Sequence, residues 1–352
     1  MSHTDFPYTM TRRGVVMTPD RSDPHELEGV LNPAAARAPD GRLVLFPRVV
    51  AAGNRSRIAV ADVVVTDGVP TGVERRGIVL SPDRGWERGS DHGGVEDPRI
   101  TWIEALGLYV MTYVAYGPLG PRAALATSSD LATWTRLGPV QFRYEDHLDT
   151  DLNLFPNKDL VWFPEPIPGP EGELCFGFIH RPMWRIRGQE VSLPAGVTDD
   201  RAAIWLSYVR VSDALADPAA LLRPFGHREI ARSETAWEAL KIGGGPPPVR
   251  VPEGWLLIYH GVSGTIIEDD FAPQKDVHYA AGAMILDAAD PSRVVARTAH
   301  PLLTPETERE RVGIVGNVVF PTAIVEVDGR LFTFYGMADE AIGVASLDRA
   351  TP

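Results

Sequence analysis

The sequence predicts an all-β fold, and more specifically a five-bladed β-propeller. The 33 Gly and 31 Pro residues are scattered among short apolar runs, a pattern typical of short strands joined by many turns. No segment sustains the 3.6-residue apolar period of a long helix. Five segments along the chain also follow one pattern, and internal repetition of this kind is the sequence signature of a propeller.

Each of the five segments has a polar residue near a proline, then an apolar stretch, a glycine turn and a strand that ends in aromatic residues. The segments begin at Asn32-Pro33, Asp97-Pro98, Asn157-Lys158-Asp159, Lys241 with Pro246-Pro247-Pro248, and Asn317 with Pro321. Turns such as Asp40-Gly41 and Glu253-Gly254 suit tight hairpins. A β-sandwich would also have strands and turns, but it would not repeat the polar opening. Equivalent positions of the blades meet on the propeller axis, so we expect these polar residues to line one funnel.

The chain is predicted to form a single domain over residues 1–352, because no Gly/Ser tract or long charged block marks a linker. Residues 1–28 precede the first repeated segment. We expect them to form an N-terminal extension that packs on the propeller or on a neighbouring subunit. A homo-oligomer is therefore one possible state.

The formal net charge of −13 disfavours nucleic acids and anionic lipid surfaces as partners. No apolar run approaches the roughly 18 residues of a membrane span, and the polar N-terminus lacks the apolar core of a secretion signal. The single cysteine, Cys175, lies among apolar residues and is expected to be a packed thiol. These features together favour a cytoplasmic protein.

The strongest local signal is Glu96-Asp97-Pro98-Arg99, which follows Gly93-Gly94. Pro98 favours an extended conformation at Asp97. Because adjacent strand side chains point to opposite faces, we expect one carboxylate to face the funnel and the other to pair locally, for example with Arg99. The alternative is a turn with a surface ion pair.

Three further residues bring positive or potentially positive charge to the same end of the propeller: Arg181, Lys241 and His260. In so acidic a protein, their convergence indicates an anion pocket, with phosphate as its occupant. Taken singly, each has a simpler interpretation as a surface ion pair, a residue beside a Gly/Pro loop or a core histidine. We expect no metal site, because no metal-ligand spacing is present, and no cofactor.

In these residues the chain resembles glycoside hydrolase family 130, the β-mannoside phosphorylases and mannosidases, from about Gly29 to Ala345. The motifs that carry the resemblance are Asn32-Pro33, Gly94-Val95-Glu96-Asp97-Pro98-Arg99, Asn157-Lys158-Asp159, His180-Arg181-Pro182, Lys241-Ile242-Gly243, Tyr259-His260-Gly261, Asn317-Val318-Val319-Phe320-Pro321 and Tyr335-Gly336 with Asp339. The family's fold is a five-bladed propeller, in agreement with the repeat.

The resemblance implies that Asp97 is the catalytic acid, which protonates the glycosidic oxygen. It also implies two sets of binding residues. Those expected to bind the mannoside are Asn32, Arg48, Asn157, Lys158 and Asp339, and those expected to bind phosphate or the adjacent sugar are Arg181, Lys241 and His260. The chain departs from the family at Pro156, where several phosphorylases have Arg, so the resemblance alone does not separate phosphorolysis from hydrolysis.

The favoured function is an inverting phosphorylase, which converts a β-mannooligosaccharide and phosphate into mannose 1-phosphate and a shorter sugar. The alternative is an inverting β-mannosidase, which needs a second carboxylate about 6.5–9.5 Å from the acid to activate water. The candidates for that base are Glu165, Glu234, Glu238 and Glu310. A third possibility, from another class, is a non-catalytic sugar- or protein-binding propeller.

Overall fold

The computed structural model describes residues 6–89, 92–185, 191–265 and 275–350. These residues form 22 strands and a few short helices, so the all-β prediction is confirmed. The first strand, β1, spans Tyr8–Met17 and precedes the first blade.

The other strands follow the blades in chain order. The first blade contains β2 (Gly29–Arg37), β3 (Leu43–Ala51), β4 (Arg55–Thr66) and β5 (Val69–Leu80), and the second contains β6 (Gly93–Ile103), β7 (Leu108–Gly117), β8 (Gly120–Ser128) and β9 (Thr135–Pro139). The third contains β10 (Asn157–Trp162), β11 (Ile167–Pro168), β12 (Leu174–Pro182), β13 (Ile204–Arg210) and β14 (Phe225–Ala231). The fourth contains β15 (Lys241–Gly244), β16 (Val249–Val251), β17 (Gly254–Thr265), β18 (Lys275–Leu286) and β19 (Val294–Arg297), and the fifth contains β20 (Val319–Val327), β21 (Arg330–Met337) and β22 (Ala341–Arg349).

Within the described ranges, the helices are short segments of three to six residues between strands. The α-helical turns are α1 (Val211–Ala216) and α2 (Glu308–Arg311), and the 3-10 turns are Gly85–Glu87, Glu104–Leu106, Asp146–Leu148, Leu152–Leu154, Pro218–Leu222 and Ala236–Glu238. Among the described residues, no helix is long and apolar enough to cross a bilayer.

The blades are antiparallel sheets arranged in a ring. The innermost strand of each blade packs against its neighbours, and β2 closes the ring by packing on β20, β21 and β22. The first two blades are joined by a short parallel contact in which Arg55 and Ser56 lie beside Gly93 and Gly94. This contact requires glycine at position 94, because a Cβ there would lie 2.3 Å from the carbonyl oxygen of Ser56.

The N-terminal strand completes the fifth blade. Strand β1 pairs antiparallel with β22 from Tyr8 opposite Arg349 to Met17 opposite Ile342. In the described part of residues 1–28, the chain therefore packs on the propeller itself, as the fourth strand of the last blade. The two ends of the chain hold the ring together through one shared sheet.

The core consists of apolar clusters between adjacent blades. Trp162 and Trp205 are fully buried between the second and third blades, and Trp255 is buried between the third and fourth. Cys175 lies in the latter cluster, and burial raises the pKa of its thiol to about 12. The thiol is therefore a packing group, as expected from its apolar neighbours.

Candidate active site

The innermost strands of the first three blades share a bulge that turns one acidic or amide side chain into the funnel. The backbone φ angles of Asn32, Asp97 and Asp159 are +42°, +49° and +55°. Each residue lies where the pairing with the next strand slips by one residue. Asn and Asp tolerate this left-handed conformation better than other side chains. The expectation of an extended Asp97 is therefore wrong, because the bulge overrides the influence of Pro98.

The funnel contains a cavity of about 670 Å³ to which all five blades contribute. Its lining includes most of the predicted site residues and several others to which the sequence analysis assigned no binding or catalytic role. The predicted ones are Asn32, Arg48, Asp97, Lys158, Arg181, Lys241, His260 and Asp339, and the additional ones include Asn54, His92, Glu96, Tyr116, Asp159, Asp276, Tyr279 and Phe320.

Asp97 lies on one side of the cavity between an amide and a guanidinium. Its Oδ1 accepts hydrogen bonds from Asn32 Nδ2 at 2.9 Å and from Arg48 Nη1 at 3.1 Å. Glu96 also contacts Arg48, at 3.0 Å from Nη2, and lies 3.5 Å from the ammonium of Lys158. The two adjacent carboxylates therefore share one site. The expectation that they point to opposite faces is wrong, because strand alternation fails at the bulge.

The carboxyl groups of Asp97 and Asp339 have opposite pKa shifts. Burial alone would raise the pKa of Asp97, but the charges of Arg48, Lys158 and Arg99 and the Asn32 hydrogen bond outweigh it and lower that pKa. Burial raises the pKa of Asp339 to about 6, and the neighbouring carboxylates add to the effect while Arg48 opposes it. In the empty cavity Asp97 is therefore ionised at neutral pH, whereas Asp339 begins to take up a proton in mildly acidic solution.

On the other side of the cavity, Asp159 is surrounded by positive and polar groups. Its Oδ2 accepts a hydrogen bond from Nε of Arg181 and lies 3.5 Å from His260 Nε2. The guanidinium of Arg99 lies 3.7 Å from Oδ1. These charges outweigh the effect of burial and hold the pKa of Asp159 well below its usual range. The carboxylate therefore stays ionised and fixes the cations around it.

Arg99 supports the backbone of the site. It donates hydrogen bonds to the carbonyl oxygens of Asp97, at 2.8 Å, and Gly245, at 3.0 Å, and its guanidinium stacks 5.6 Å from the Phe320 ring. The expected pairing of Arg99 with one of the carboxylates of Glu96-Asp97 is therefore wrong. Arg99 instead ties the second blade to the fourth and places positive charge behind Asp159.

His260 lies at the floor of the cavity as a neutral imidazole. Its pKa is lowered to about 3, mainly by burial and also by the charges of Arg181, Arg99 and Lys241, which together outweigh the opposing effect of Asp159. Both ring nitrogens are buried, and within the described residues neither makes a hydrogen bond. Gly243 is required beside it, since a Cβ there would lie 2.6 Å from His260 Cε1 and 2.1 Å from Asp159 Oδ2.

Asn157 does not line the cavity with the other residues predicted to bind the sugar. Its side chain is buried in the third blade, where Oδ1 accepts from the backbone N–H of Arg181 at 3.1 Å and Nδ2 lies 2.9 Å from His180 Nδ1. Asn157, which the sequence predicts to bind the substrate, is therefore not a lining residue of this cavity, because the bulge places Asp159 at the position equivalent to Asp97. The signal was present in the sequence, since an acidic residue ends the same Asn-Lys-Asp segment.

The four glutamates considered as hydrolytic bases lie outside the cavity. Glu165 and Glu234 are exposed, and Glu234 lies 3.4 Å from Arg297. Glu238 is fully buried and accepts hydrogen bonds from Tyr259 and from the backbone of its own turn. Glu310 is likewise buried and accepts from Arg12 and Tyr335. None of the four is therefore in position to activate a water molecule at the funnel.

Two further observations concern the ligands that the site could take. In the part of the chain that the structure describes, no cluster of His, Cys, Asp and Glu side chains has the geometry of a metal site. No tryptophan among the described residues lines the cavity, although Tyr116, Tyr279 and Phe320 do. The functional groups of the cavity are therefore the carboxyl groups of Glu96, Asp97 and Asp339 on one side, and a group of cations around Asp159 with a neutral imidazole on the other.

Comparison with known proteins finds relatives over most of the chain. A glycoside hydrolase family 130 profile, described as beta-1,4-mannooligosaccharide phosphorylase, matches residues 9–182 and 199–350. The chain is 33% identical over 258 residues to a 1,2-beta-oligomannan phosphorylase of Thermoanaerobacter sp. (strain X514), which is 72% of this chain and 68% of that protein. A beta-1,4-mannooligosaccharide phosphorylase of Ruminococcus albus is 41% identical over 121 residues, or 34% of each chain.

Among solved structures, the beta-1,2-mannobiose phosphorylase of Listeria innocua, in complex with beta-1,2-mannobiose, superposes with a TM-score of 0.70. The match covers 97% of this chain and 96% of that one at 22% sequence identity. At this level of identity the likeness shows a common fold, in agreement with the predicted propeller.

Proposed function

This chain belongs to glycoside hydrolase family 130, and we propose that it is an inverting phosphorylase that cleaves β-mannosides with inorganic phosphate. The products are α-mannose 1-phosphate and a sugar shortened by one mannose. Curated relatives named as phosphorylases of β-1,2- and β-1,4-linked mannosides support the reaction and the substrate class.

One observation carries the choice of phosphate over water. The cavity holds Asp97 on one side and Arg181, Lys241 and His260 on the other, whereas none of the four glutamates considered as a hydrolytic base lines it. A phosphorylase needs cations and hydrogen-bond donors to hold an anionic nucleophile, and it needs no base, since phosphate is already nucleophilic. The departure at Pro156 is compatible with this assignment, because Arg181 and Lys241 still line the cavity.

The reaction is a single displacement at the anomeric carbon. The terminal mannose binds beside Asn32, Arg48 and Asp339. A phosphate oxygen forms a bond to the anomeric carbon from the side of Arg181 and Lys241. The bond to the glycosidic oxygen breaks at the same time, and that oxygen receives a proton that originates from Asp97. The configuration inverts because attack and departure occur on opposite faces of the sugar ring.

Phosphate binding also prepares the acid. In the empty cavity Asp97 is ionised, because nearby cations lower the pKa of its carboxyl. A phosphate dianion held by Arg181 and Lys241 adds negative charge to the same cavity and thereby raises that pKa. The nucleophile therefore favours the protonated form of Asp97 that the leaving group requires. After turnover, the proton lost by Asp97 is replaced from the incoming hydrogen phosphate or from solvent.

The test is product analysis with β-1,2- and β-1,4-mannobiose, each with and without phosphate. We expect mannose 1-phosphate only when phosphate is present, and little free mannose in its absence. Equal turnover to free mannose in phosphate-free buffer would contradict the proposal and support a mannosidase. The variant Asp97→Asn should lose turnover but keep sugar binding. Asp146→Asn, which changes an exposed carboxylate outside the cavity, is the matched control.

A further inference from the structure

A chain of buried polar groups runs through the third blade behind Arg181. Asn157 Nδ2 lies 2.9 Å from His180 Nδ1, and His180 Nε2 lies 2.8 Å from Ser207 Oγ. Ser207 Oγ lies 2.8 Å from His227 Nδ1, and His227 Nε2 lies 2.9 Å from the carbonyl oxygen of Arg143. The side chains of all four linked residues are buried. None of them lines the cavity of the site described above, so the proposed reaction gives them no role.

The backbone of Arg181 determines which atoms donate and which accept in the first two hydrogen bonds of this series, from Asn157 to Ser207. The N–H of Arg181 donates to Oδ1 of Asn157, so the amide nitrogen of Asn157 must face His180. An amide NH₂ group only donates, so Nδ1 of His180 accepts. In a neutral imidazole the proton is then on Nε2, from which it is donated to Ser207.

The other end fixes the second half in the same direction. A carbonyl oxygen only accepts, so His227 Nε2 donates to Arg143. His227 Nδ1 then accepts from the hydroxyl of Ser207, whose oxygen is free to accept from His180. Each of the four hydrogen bonds in this series thus has one donor and one acceptor. Only one arrangement of protons on the two imidazoles and the hydroxyl allows this. Burial lowers the pKa of both histidines, in keeping with two neutral rings.

The series of hydrogen bonds ends at Arg181, a residue of the proposed phosphate site. His180 and Arg181 are neighbours on β12, where successive side chains alternate between the two faces of the sheet. The ring of His180 packs against Phe142 and Phe178 between the second and third blades, while Arg181 reaches Asp159 in the funnel. The hydrogen bonds of Asn157 to His180 and to the Arg181 amide hold the backbone in place, and they therefore fix the Cα position from which the Arg181 side chain extends.

We propose that Asn157, His180, Ser207 and His227 form a positioning chain that holds Arg181 in the geometry for binding the phosphate co-substrate. The inference rests on the proposed phosphorylase function. Ser207 and His227 are positioning residues, because they act through His180 and Asn157 on Arg181 and do not line the cavity. A series of hydrogen bonds that all run in the same donor-to-acceptor direction suits this role. Removing one member leaves buried polar atoms of its neighbours without a hydrogen-bond partner.

The test removes the hydroxyl in the middle of the chain with Ser207→Ala. We expect the KM for phosphate to rise about tenfold, with little change in the KM for the mannoside or in kcat at saturating phosphate. The matched control is Ser346→Ala on β22, which also removes a buried, hydrogen-bonded hydroxyl but far from Arg181. It should leave both KM values unchanged. Ser207→Thr keeps the hydroxyl and should restore the phosphate KM.

A second readout separates positioning from general destabilisation. Phosphate should raise the melting temperature of the wild type and of Ser346→Ala by similar amounts, and that of Ser207→Ala by much less. If Ser207→Ala lowers the melting temperature but keeps the phosphate KM and the phosphate-induced rise, the chain is merely structural and the inference is wrong. Wild-type turnover that ignores phosphate would instead overturn the proposed function, and the positioning role with it.

Discussion

The Nη1 atom of Arg48 lies 3.1 Å from Oδ1 of Asp97, and this contact helps to keep the predicted proton donor ionised while the cavity is empty. The same guanidinium contacts Glu96 at 3.0 Å, so one buried cation is shared by two buried carboxylates, and the ammonium of Lys158, 3.5 Å from Glu96, supplies a second positive charge. Two cations thus face two carboxylates at this end of the site. In the proposed reaction, a phosphate dianion changes this balance of charge and favours the protonated form of Asp97.

Replacing Arg48 by methionine tests this balance. Arg48→Met should lower the free energy of unfolding by about 2–4 kcal/mol, because removing one partner of a buried ion pair leaves uncompensated charge. It should also reduce kcat/KM at least about 100-fold, through lost sugar contacts and a misplaced acid. Chemical denaturation and steady-state kinetics measure the two effects.

The control for that variant is Arg42→Met, which removes an exposed arginine that lies 2.7 Å from Asp40. Exposed pairs contribute less than about 1 kcal/mol. Equal stabilities of the two variants would show that Arg48 is not the charge-balancing group described here.

Asp159 should contribute less to stability when phosphate is present. Asp159→Asn removes the carboxylate that lies between Arg181, Arg99 and His260, so these groups are left without an anion. In phosphate-free buffer we expect a loss of about 3–5 kcal/mol of unfolding free energy. Added phosphate should restore part of it, and the phosphate-induced rise in melting temperature should exceed that of the wild type. A smaller rise than in the wild type would mean that phosphate binds elsewhere.

The blade architecture could be predicted from the sequence because it depends on local patterns. Asn32 and Asp97 were found through the proline that follows each of them, and both line the funnel. In the third blade the equivalent residue, Asp159, is followed by Leu160 and not by proline. The sequence pattern therefore does not mark Asp159 and points to Asn157. The repeated sequence pattern does not reveal which residue of each segment occupies the bulge.

The partners of the site residues could not be predicted, because they depend on tertiary geometry. Strand alternation predicted that Glu96 and Asp97 would face apart, but a slip in pairing between Glu96 and Arg99 brings both to Arg48. Likewise, nothing in the sequence of the N-terminal residues indicates that they pair with β22. The position of a bulge and the partner of a distant strand both depend on pairing between strands far apart in the sequence. Local sequence patterns do not show such pairing.

Asp339 should make the free energy of unfolding depend on pH. Its carboxyl has a pKa of about 6 in the folded protein, above the ordinary value of 3.8. Because the folded state favours the protonated form, the contribution of Asp339 to stability is fully present below about pH 4 and is lost as the pH rises through 6. Asp339→Asn, which is permanently neutral, should be more stable than the wild type at pH 8 by at most about 3 kcal/mol.

The pH series supplies the internal control for this variant. The difference in stability between Asp339→Asn and the wild type should shrink to near zero at pH 4, as measured by denaturant unfolding without phosphate or sugar. The same variant should bind mannoside weakly, since Asp339 lines the sugar side of the cavity. A constant difference across this pH range would rule out the raised pKa.

Glu238 should prove structural rather than catalytic. Its carboxylate accepts hydrogen bonds from Tyr259 and from Arg297, at 3.0 and 2.9 Å, and caps its own turn. Glu238→Gln should therefore lower the unfolding free energy by about 2–4 kcal/mol without altering the ratio of mannose 1-phosphate to mannose. Glu165→Gln, at an exposed position, should change neither quantity. A shift toward mannose 1-phosphate in Glu238→Gln would identify a hydrolytic base that the geometry does not indicate.

The last prediction concerns the strand that closes the ring. In β1, Val16 is buried against the fifth blade, whereas the adjacent Val15 is 36% exposed. Val16→Asp places a charge in the apolar cluster between the fifth and first blades, so we expect a loss of at least about 3 kcal/mol. Val15→Asp makes the same chemical change one residue away and should cost less than about 1 kcal/mol. Since β1 is the outer strand on β22, the first variant should also expose that sheet edge and promote aggregation on heating. Similar stabilities for the two variants, measured by denaturant unfolding, would show that β1 does not hold the ring closed.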